Sequence, residues 1–219
     1  MRGIHLAVSA IVVASASIAT MISSPATAQQ PGTLISVAFG PQQVWQPSST
    51  DTVVRLQRCE QHSWTCIRQV MEQDGASADA IAFYRLTGWF LSGIQNTGAV
   101  QVGDVFVPWR ANENAQLALL GGVPAVIYPE VEAERLSIES LPAAEPLKSA
   151  YPDLMFWPSG PTFAGVEVTP DGGQRLVLLY RVLNGCRACE VVARARVGFD
   201  FTSDGAYQGA RILDLEQNQ

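Results

Sequence analysis

Four cysteines are the residues of this chain whose type and spacing could do chemistry. Cys186 and Cys189 lie in the string NGCRACE, and Cys59 and Cys66 lie in CEQHSWTC. A Cys-x-x-Cys string can act as a redox couple, supply half of a zinc site or form a structural disulfide bond. The elements and the compartment that surround the sulfur atoms decide between these three roles.

Redox catalysis by Cys186 and Cys189 would require a stabilised thiolate. In thiol–disulfide oxidoreductases the reactive cysteine lies at a helix N-terminus, where the helix dipole and free amide groups lower its pKa. Here strand-like sequence lies on both sides of the pair, and no helix is predicted after it. A thiol–disulfide redox protein that uses these two residues is therefore an alternative interpretation.

Zinc binding is a second alternative. A Cys-x-x-Cys turn can present two thiolates to a metal, and Cys59, His62 and Cys66 would bring the number of potential ligands to five. The spacing of these residues is not that of a standard zinc finger. We therefore expect no metal and no other cofactor, and a zinc-stabilised small domain remains an alternative.

The N-terminal sequence predicts export to an oxidising compartment. Residues 1–28 contain one arginine, then an apolar run, then the small residues Ala26-Thr27-Ala28. This order is typical of a secretory signal peptide, and serines make the apolar run too short and too polar for a membrane span of about 20 residues. We expect cleavage after Ala28 and no stable membrane insertion of the mature protein.

Disulfide bonds are the preferred interpretation of all four cysteines, because they persist in oxidising compartments. If the two residues between Cys186 and Cys189 form a hairpin loop, the two Cα atoms lie about 5.5 Å apart, within disulfide range. If the turn is instead the preceding Asn-Gly pair, the two side chains point to opposite faces. Each pair is close in sequence, so we predict the local bonds Cys59–Cys66 and Cys186–Cys189.

The charge balance limits the class of partner. The chain has 14 Lys and Arg against 20 Asp and Glu, a formal charge of −6, and loss of Arg2 with the leader would make it −7. An acidic chain without a basic run has little attraction for a phosphate backbone or an anionic membrane. We expect no nucleic-acid partner, and an unknown protein or small-molecule ligand instead.

Hydrophobic periodicity predicts an α+β fold, with short N-terminal helices and a mostly antiparallel sheet that ends in a three-stranded meander. Residues 29–52 are assigned to a leader segment and a first strand, LISVAFG, residues 53–215 to a single domain and residues 216–219 to a tail. The predicted helices cover IRQVMEQDG and ASADAIAFYRLTG. The predicted strands are WFLSGI, AVQVGDVFVPW, AQLALL, VPAVIYPEV and the three meander strands QRLVLLYRVL, EVVARARVGFDF and GAYQGARILDL.

The sequence contains none of the common catalytic motifs considered for it. His62 is the one histidine after the predicted signal peptide, which excludes multi-histidine sites in the mature chain. No G-x-S-x-G, G-x-G-x-x-G or G-x-x-x-x-G-K-S/T string occurs. Carboxylates brought together by folding could still form a hydrolase site. We therefore expect a non-enzymatic protein, with the question of a catalytic carboxylate pair left open.

One loop has the composition of a recognition site. FVPWRANENAQ combines an aromatic ring, a guanidinium group and several polar side chains, namely Trp109, Arg110, Asn112, Glu113 and Asn114. Such a loop suits the binding of a ligand or a protein. A surface turn that satisfies its own backbone is the simpler alternative.

Three stretches together resemble a known group of sequences. CIRQVMEQDGASADAIAFYR, the RANEN loop and YRVLNGCRACEVV with VGFDF are similar to predicted exported bacterial proteins that have no assigned activity. The likeness covers about residues 53–215. It implies one domain in the periplasm or outside the cell, and it transfers no site residues. We expect an exported, disulfide-stapled binding or interaction module.

Overall fold

The computed structural model describes residues 39–59, 62–110, 112–139 and 141–217. The predicted signal peptide and most of the predicted first strand lie outside these residues. The helices are α1 Thr50–Gln57, α2 Trp64–Gln73, α3 Ala78–Thr87, α4 Pro129–Ala133 and α5 Ala144–Ala150. The strands are β1 Phe90–Gln95, β2 Gln101–Phe106, β3 Ala115–Leu120, β4 Val126–Ile127, β5 Leu154–Val168, β6 Gln174–Asn184, β7 Val191–Phe201 and β8 Tyr207–Gln217.

The predicted α+β class, with short helices before a mostly antiparallel sheet, is confirmed. Helix α3 begins where the Ser77 hydroxyl accepts a hydrogen bond from the Ala80 amide at 3.0 Å, and it ends at Gly88 with a positive φ of 75°. These are the residue types that favour helix starts and stops. Helix α1 was not predicted, because its buried side chains are few. Among the described helices, none combines the length and apolar character that crossing a membrane requires.

The first sheet contains β1, β2, β3 and β4 in that order, and all its pairs are antiparallel. The first three predicted strands of this region are present, but VPAVIYPEV forms only the short strand Val126–Ile127, because Pro129 begins helix α4. Strands β3 and β4 form a hairpin, in which the Gly121 amide donates to the Ala125 carbonyl at 2.9 Å. The φ of Gly121 is 84°, a conformation that glycine adopts readily.

The second sheet contains the predicted meander, β6, β7 and β8, and one additional strand, β5. Strand β5 was not predicted, because Pro158 and Pro161 interrupt its apolar pattern and proline lacks the amide that a ladder requires. The structure places both prolines in a bulge between Trp157 and Thr162, where β5 leaves the ladder with β6. The bulge therefore lets one long strand contain both prolines.

One of three hydrophobic clusters among the described residues joins the two sheets. Residues on one face of β6 and β7 pack against Val102 and Leu119 of the first sheet. The buried residues that β6 and β7 contribute to it are Leu176, Leu178, Tyr180, Val182, Val192, Ala193, Ala195, Val197, Phe199 and Phe201. Apart from Val192, which lies next to a register shift in the β6–β7 ladder, these residues alternate in sequence, and that alternation made the meander predictable.

The opposite face of the second sheet is covered by ion pairs. Arg175 contacts Asp200 at 2.5 Å, and Arg196 contacts Glu167 at 2.8 Å and Asp214 at 2.7 Å. Arg175 also reaches Glu167 at 3.4 Å. The network therefore links all four strands of this sheet.

Candidate ligand-binding cleft between the two sheets

An open cleft of about 730 Å³ lies between the first sheet and strand β5, and we call it the inter-sheet cleft. Its floor continues the sheet face that carries Val102 and Leu119 into the core, because residues two apart on a strand share a face. Its lining consists of Gln46, Pro47, Val53, Ser92, Gln95, Val102, Asp104, Val105, Phe106, Ala115, Gln116, Leu117, Gly160, Pro161, Thr162 and Phe163. The cleft is thus the solvent-open end of the space that the core fills elsewhere.

The bulge of β5 forms one wall of the cleft, and Gln116 holds it in place. The Gln116 amide nitrogen donates to the Ser159 hydroxyl at 3.2 Å and to the Glu113 carbonyl at 2.9 Å, and its oxygen accepts from the Gly160 amide at 3.2 Å. Gln116 is buried. Because both ends of this amide have partners, the wall is fixed relative to the floor.

Glu113 anchors the same wall from behind. The Trp157 indole N–H donates to a Glu113 carboxylate oxygen at 3.1 Å, and the Arg181 guanidinium forms a hydrogen-bonded ion pair with it. Arg187 lies 3.6 Å from the second oxygen. Glu113 has a positive φ of 54°, a conformation that is uncommon for a non-glycine residue. The carboxylate therefore joins the RANEN loop to the second sheet.

Contacts inside the protein set the protonation state of Glu113. Burial raises the pKa of its carboxyl group, but hydrogen bonds from Ser159, Trp157 and Arg181 and the charge of Arg187 outweigh burial. The pKa of Glu113 therefore lies below its ordinary value, and the group is ionised at neutral pH.

Both predicted disulfide bonds are present, Cys59–Cys66 with Cα atoms 5.6 Å apart and Cys186–Cys189 with Cα atoms 5.0 Å apart. The Cys189 amide donates to the Cys186 carbonyl at 3.0 Å, so Arg187 and Ala188 are the central residues of the turn. The bonds occupy the sulfur atoms that a zinc site would need. Within the described part of the chain, no group of three or more His, Cys, Asp or Glu side chains could hold a metal ion.

The turn closed by Cys186 and Cys189 positions Arg187. The guanidinium of Arg187 lies over the Trp157 ring, 5.6 Å from its centroid, and faces Glu113. The Cys-x-x-Cys turn and the RANEN loop, which the sequence singles out separately, therefore meet behind the cleft wall.

Replacing Cys186 and Cys189 together by serine is expected to lower the free energy of unfolding by about 2 kcal/mol, because a closed short loop restricts the unfolded chain. Urea unfolding without reductant measures the change, and an intact mass confirms that Cys59–Cys66 remains closed. An unchanged urea midpoint would show that the turn is held by its other contacts alone.

The remaining residues of the predicted recognition loop mostly contact the protein itself. Trp109 packs against His62, with ring centroids 4.7 Å apart, and the Arg110 guanidinium pairs with Glu130 at 2.8 Å. The Asn114 amide donates to the Val107 carbonyl at 2.9 Å and to the Arg110 carbonyl at 2.6 Å. These loop side chains therefore pack against a neighbouring ring, form an ion pair or hydrogen-bond to backbone carbonyls of the same loop.

Asn112 is exposed, and none of the five loop residues lines the inter-sheet cleft. The loop lies behind the cleft wall through Glu113, and its direct contact with a ligand stays a prediction. The residues that build the cleft were missed. Ser159 and Asp104 belong to no local motif, and Gln116, the last residue of FVPWRANENAQ, was not among the predicted site residues because its partner Ser159 lies 43 residues away in sequence.

These features define an α+β domain of two four-stranded antiparallel sheets, clipped by two disulfide bonds, with an open cleft between the sheets. No protein-family model matches the chain, and neither the curated proteins nor the solved structures include a match. The geometry of the cleft therefore carries the functional assignment.

Proposed function

We propose that the protein is an exported binding module whose ligand site is the inter-sheet cleft. The observation that carries this proposal is the size and lining of the cleft. Its volume of about 730 Å³ falls within the range of about 300–1,000 Å³ that is typical of small-molecule sites. Apolar side chains form most of the lining, and a few polar groups converge on it, as such sites require.

The fixed position of the cleft wall supports a binding role. Gln116 ties the β5 bulge to the floor, and Glu113 ties the neighbouring loop to the second sheet. A wall that is held before the ligand arrives does not lose conformational freedom on binding. Preorganised sites of this kind bind more tightly than sites that must be ordered by the ligand.

The lining also favours binding over catalysis. Its described residues include one carboxylate, that of Asp104, and no histidine, cysteine or lysine. One carboxylate cannot form an acid–base pair, and the Ser92 hydroxyl donates to the Asp104 carbonyl rather than to its carboxylate, so the described lining residues show no hydroxyl paired with a base. Export is supported by the predicted signal peptide and by the two disulfide bonds.

Replacing Ala115 by tryptophan tests the proposal, because Ala115 is exposed on β3 and lines the cleft. The neutral fluorescent probe N-phenyl-1-naphthylamine is small enough for the cleft of the parent protein. We expect saturable fluorescence enhancement with the parent, and at least about tenfold weaker binding with Ala115→Trp, since the indole fills space that the probe needs. Fluorescence titration measures both affinities.

Ala164→Trp is the matched control. Ala164 is likewise an exposed strand alanine, but it lies on β5 outside the lining, so this variant should bind the probe like the parent. Absence of saturable binding to the parent, or equal binding by the two tryptophan variants, would refute the cleft as the ligand site.

A further inference from the structure

We propose that the inter-sheet cleft selects a small organic cation, with one protonated amine on an apolar body, and that Asp104 is its counter-ion. This inference rests on the proposed function, because it specifies the ligand class of the same site.

Asp104 is the single charged side chain among the described residues of the lining. It is exposed, and its carboxylate forms no ion pair and no hydrogen bond with another described residue. Most other acidic groups near the sheets have basic partners, as Glu113 has with Arg181 and Arg187. The negative charge of Asp104 therefore remains available to a ligand.

Gly93 on the neighbouring strand leaves room for this carboxylate. Asp104 pairs with Gly93 across the β1–β2 ladder, and a Cβ atom on residue 93 would lie 2.8 Å from the Asp104 Oδ2 atom. Such a distance is well below van der Waals contact, so the absence of a side chain at Gly93 leaves the space in which the carboxylate lies. The glycine and the aspartate thus form one local arrangement at the cleft floor.

Charge complementarity decides the class of ligand. An anion in the cleft would lie against an uncompensated carboxylate, and a neutral apolar ligand would remove water from Asp104 without replacing its hydrogen bonds. A protonated amine supplies both an opposite charge and N–H donors. The formal charge of −6 on the chain further favours the approach of cations.

The apolar part of the ligand follows from the surroundings of Asp104. Leu117 pairs with Asp104 in the β2–β3 ladder, and Phe106 lies two residues further along β2 on the same face. Phe163 and Pro161 line the opposite wall. These side chains provide surface for an aliphatic or aromatic body rather than for a sugar or a phosphate.

Three probes of nearly equal size separate charge from shape: phenethylamine, 2-phenylethanol and 3-phenylpropanoate. Titration of the ¹⁵N-labelled protein at neutral pH and low salt, followed by amide chemical shifts, gives the affinity and the location of each. We expect the amine to bind about fivefold more tightly than the alcohol, as an exposed charge pair allows. The anionic probe 3-phenylpropanoate should bind most weakly. Added salt should reduce the difference in affinity between the amine and the alcohol.

Asp104→Asn removes the charge while keeping the size of the side chain, and it should make the affinities for amine and alcohol equal. Asp153→Asn is the control, because Asp153 is exposed outside the lining and its replacement changes the net charge equally. Equal binding of amine and alcohol by the parent protein would refute the cation preference and leave the cleft as the site. Shifts confined to residues outside the cleft, or no shifts, would refute the proposed function itself.

Discussion

Replacing Glu113 with glutamine is expected to lower the free energy of unfolding by about 2 kcal/mol, because the change leaves the partly buried Arg181 without its counter-charge. The exposed fractions of the two side chains are 19% for Glu113 and 31% for Arg181, so solvent screens the pair only in part. The hydrogen bond from Trp157 also loses its charged acceptor. Urea unfolding at pH 7 measures the effect.

The same substitution has a defined pH dependence. The pKa of Glu113 is lowered from 4.5 in the folded protein, so the folded state binds the proton less readily than the unfolded chain does. Its stabilising contribution is then complete above about pH 4.5 and is lost as the pH falls through the lower folded-state value. The stability difference between parent and Glu113→Gln should therefore shrink below about pH 4.5.

Glu134→Gln is the matched control, since Glu134 is exposed and forms no ion pair with a described residue. Its expected effect is within about 0.5 kcal/mol. Combining Glu113→Gln with Arg181→Met closes a double-mutant cycle, and a coupling energy near zero would contradict the role given to the pair. If the difference in the free energy of unfolding between the parent and Glu113→Gln stayed constant from pH 7 to pH 3, the stabilising role of the ionised Glu113 carboxylate would be contradicted.

Replacing Phe199 with alanine is expected to lower the free energy of unfolding by about 4 kcal/mol, because it removes a buried ring and leaves a cavity. Phe199 is fully buried in the core between the two sheets and lies between Leu176 of β6 and Ala210 of β8 in the ladder. This is the larger of the two effects. Urea unfolding followed by far-UV circular dichroism measures it.

Two further variants serve as comparisons for Phe199→Ala, one at the same position and one at an exposed position. Phe199→Leu keeps much of the apolar volume and should cost about 1–2 kcal/mol, whereas Val168→Ala should be nearly neutral because Val168 is 81% exposed. A loss below about 1 kcal/mol for Phe199→Ala would mean that the two sheets do not share the packed core described above. If the Phe199→Ala variant does not fold, the loss of unfolding free energy in Phe199→Leu still tests whether the two sheets share this packed core.

The elements that the sequence predicts are those whose signal is local. Ser77 and Gly88 mark the ends of α3 in the chain itself, and the alternation along β7 separates its buried face from its wet face. Strand β5 was missed because its prolines oppose a strand assignment locally. The bulge that accommodates Pro158 and Pro161 depends on pairing with β6, which no short stretch of sequence reveals.

The site was less predictable than the fold. The disulfide pairs followed from the cysteine spacing and from a predicted oxidising compartment, and the structure confirms the pairs. The composition of the RANEN loop predicted a recognition site. In the structure its Glu113 instead binds Trp157 and Arg181, which lie 44 and 68 residues away in sequence. The cleft requires β5 to lie opposite β2 and β3, so its lining exists only after the two sheets have packed.

Strand β8 is the outermost strand of its sheet, and no described strand pairs with its free edge. Such an edge is a template on which a second molecule can add a strand and begin to aggregate. Arg211 and Glu216 lie along this strand with exposed side chains, and Asp214 lies between them with a half-exposed one. A second strand would have to strip water from these charges, so they help to keep crowded copies of the protein apart.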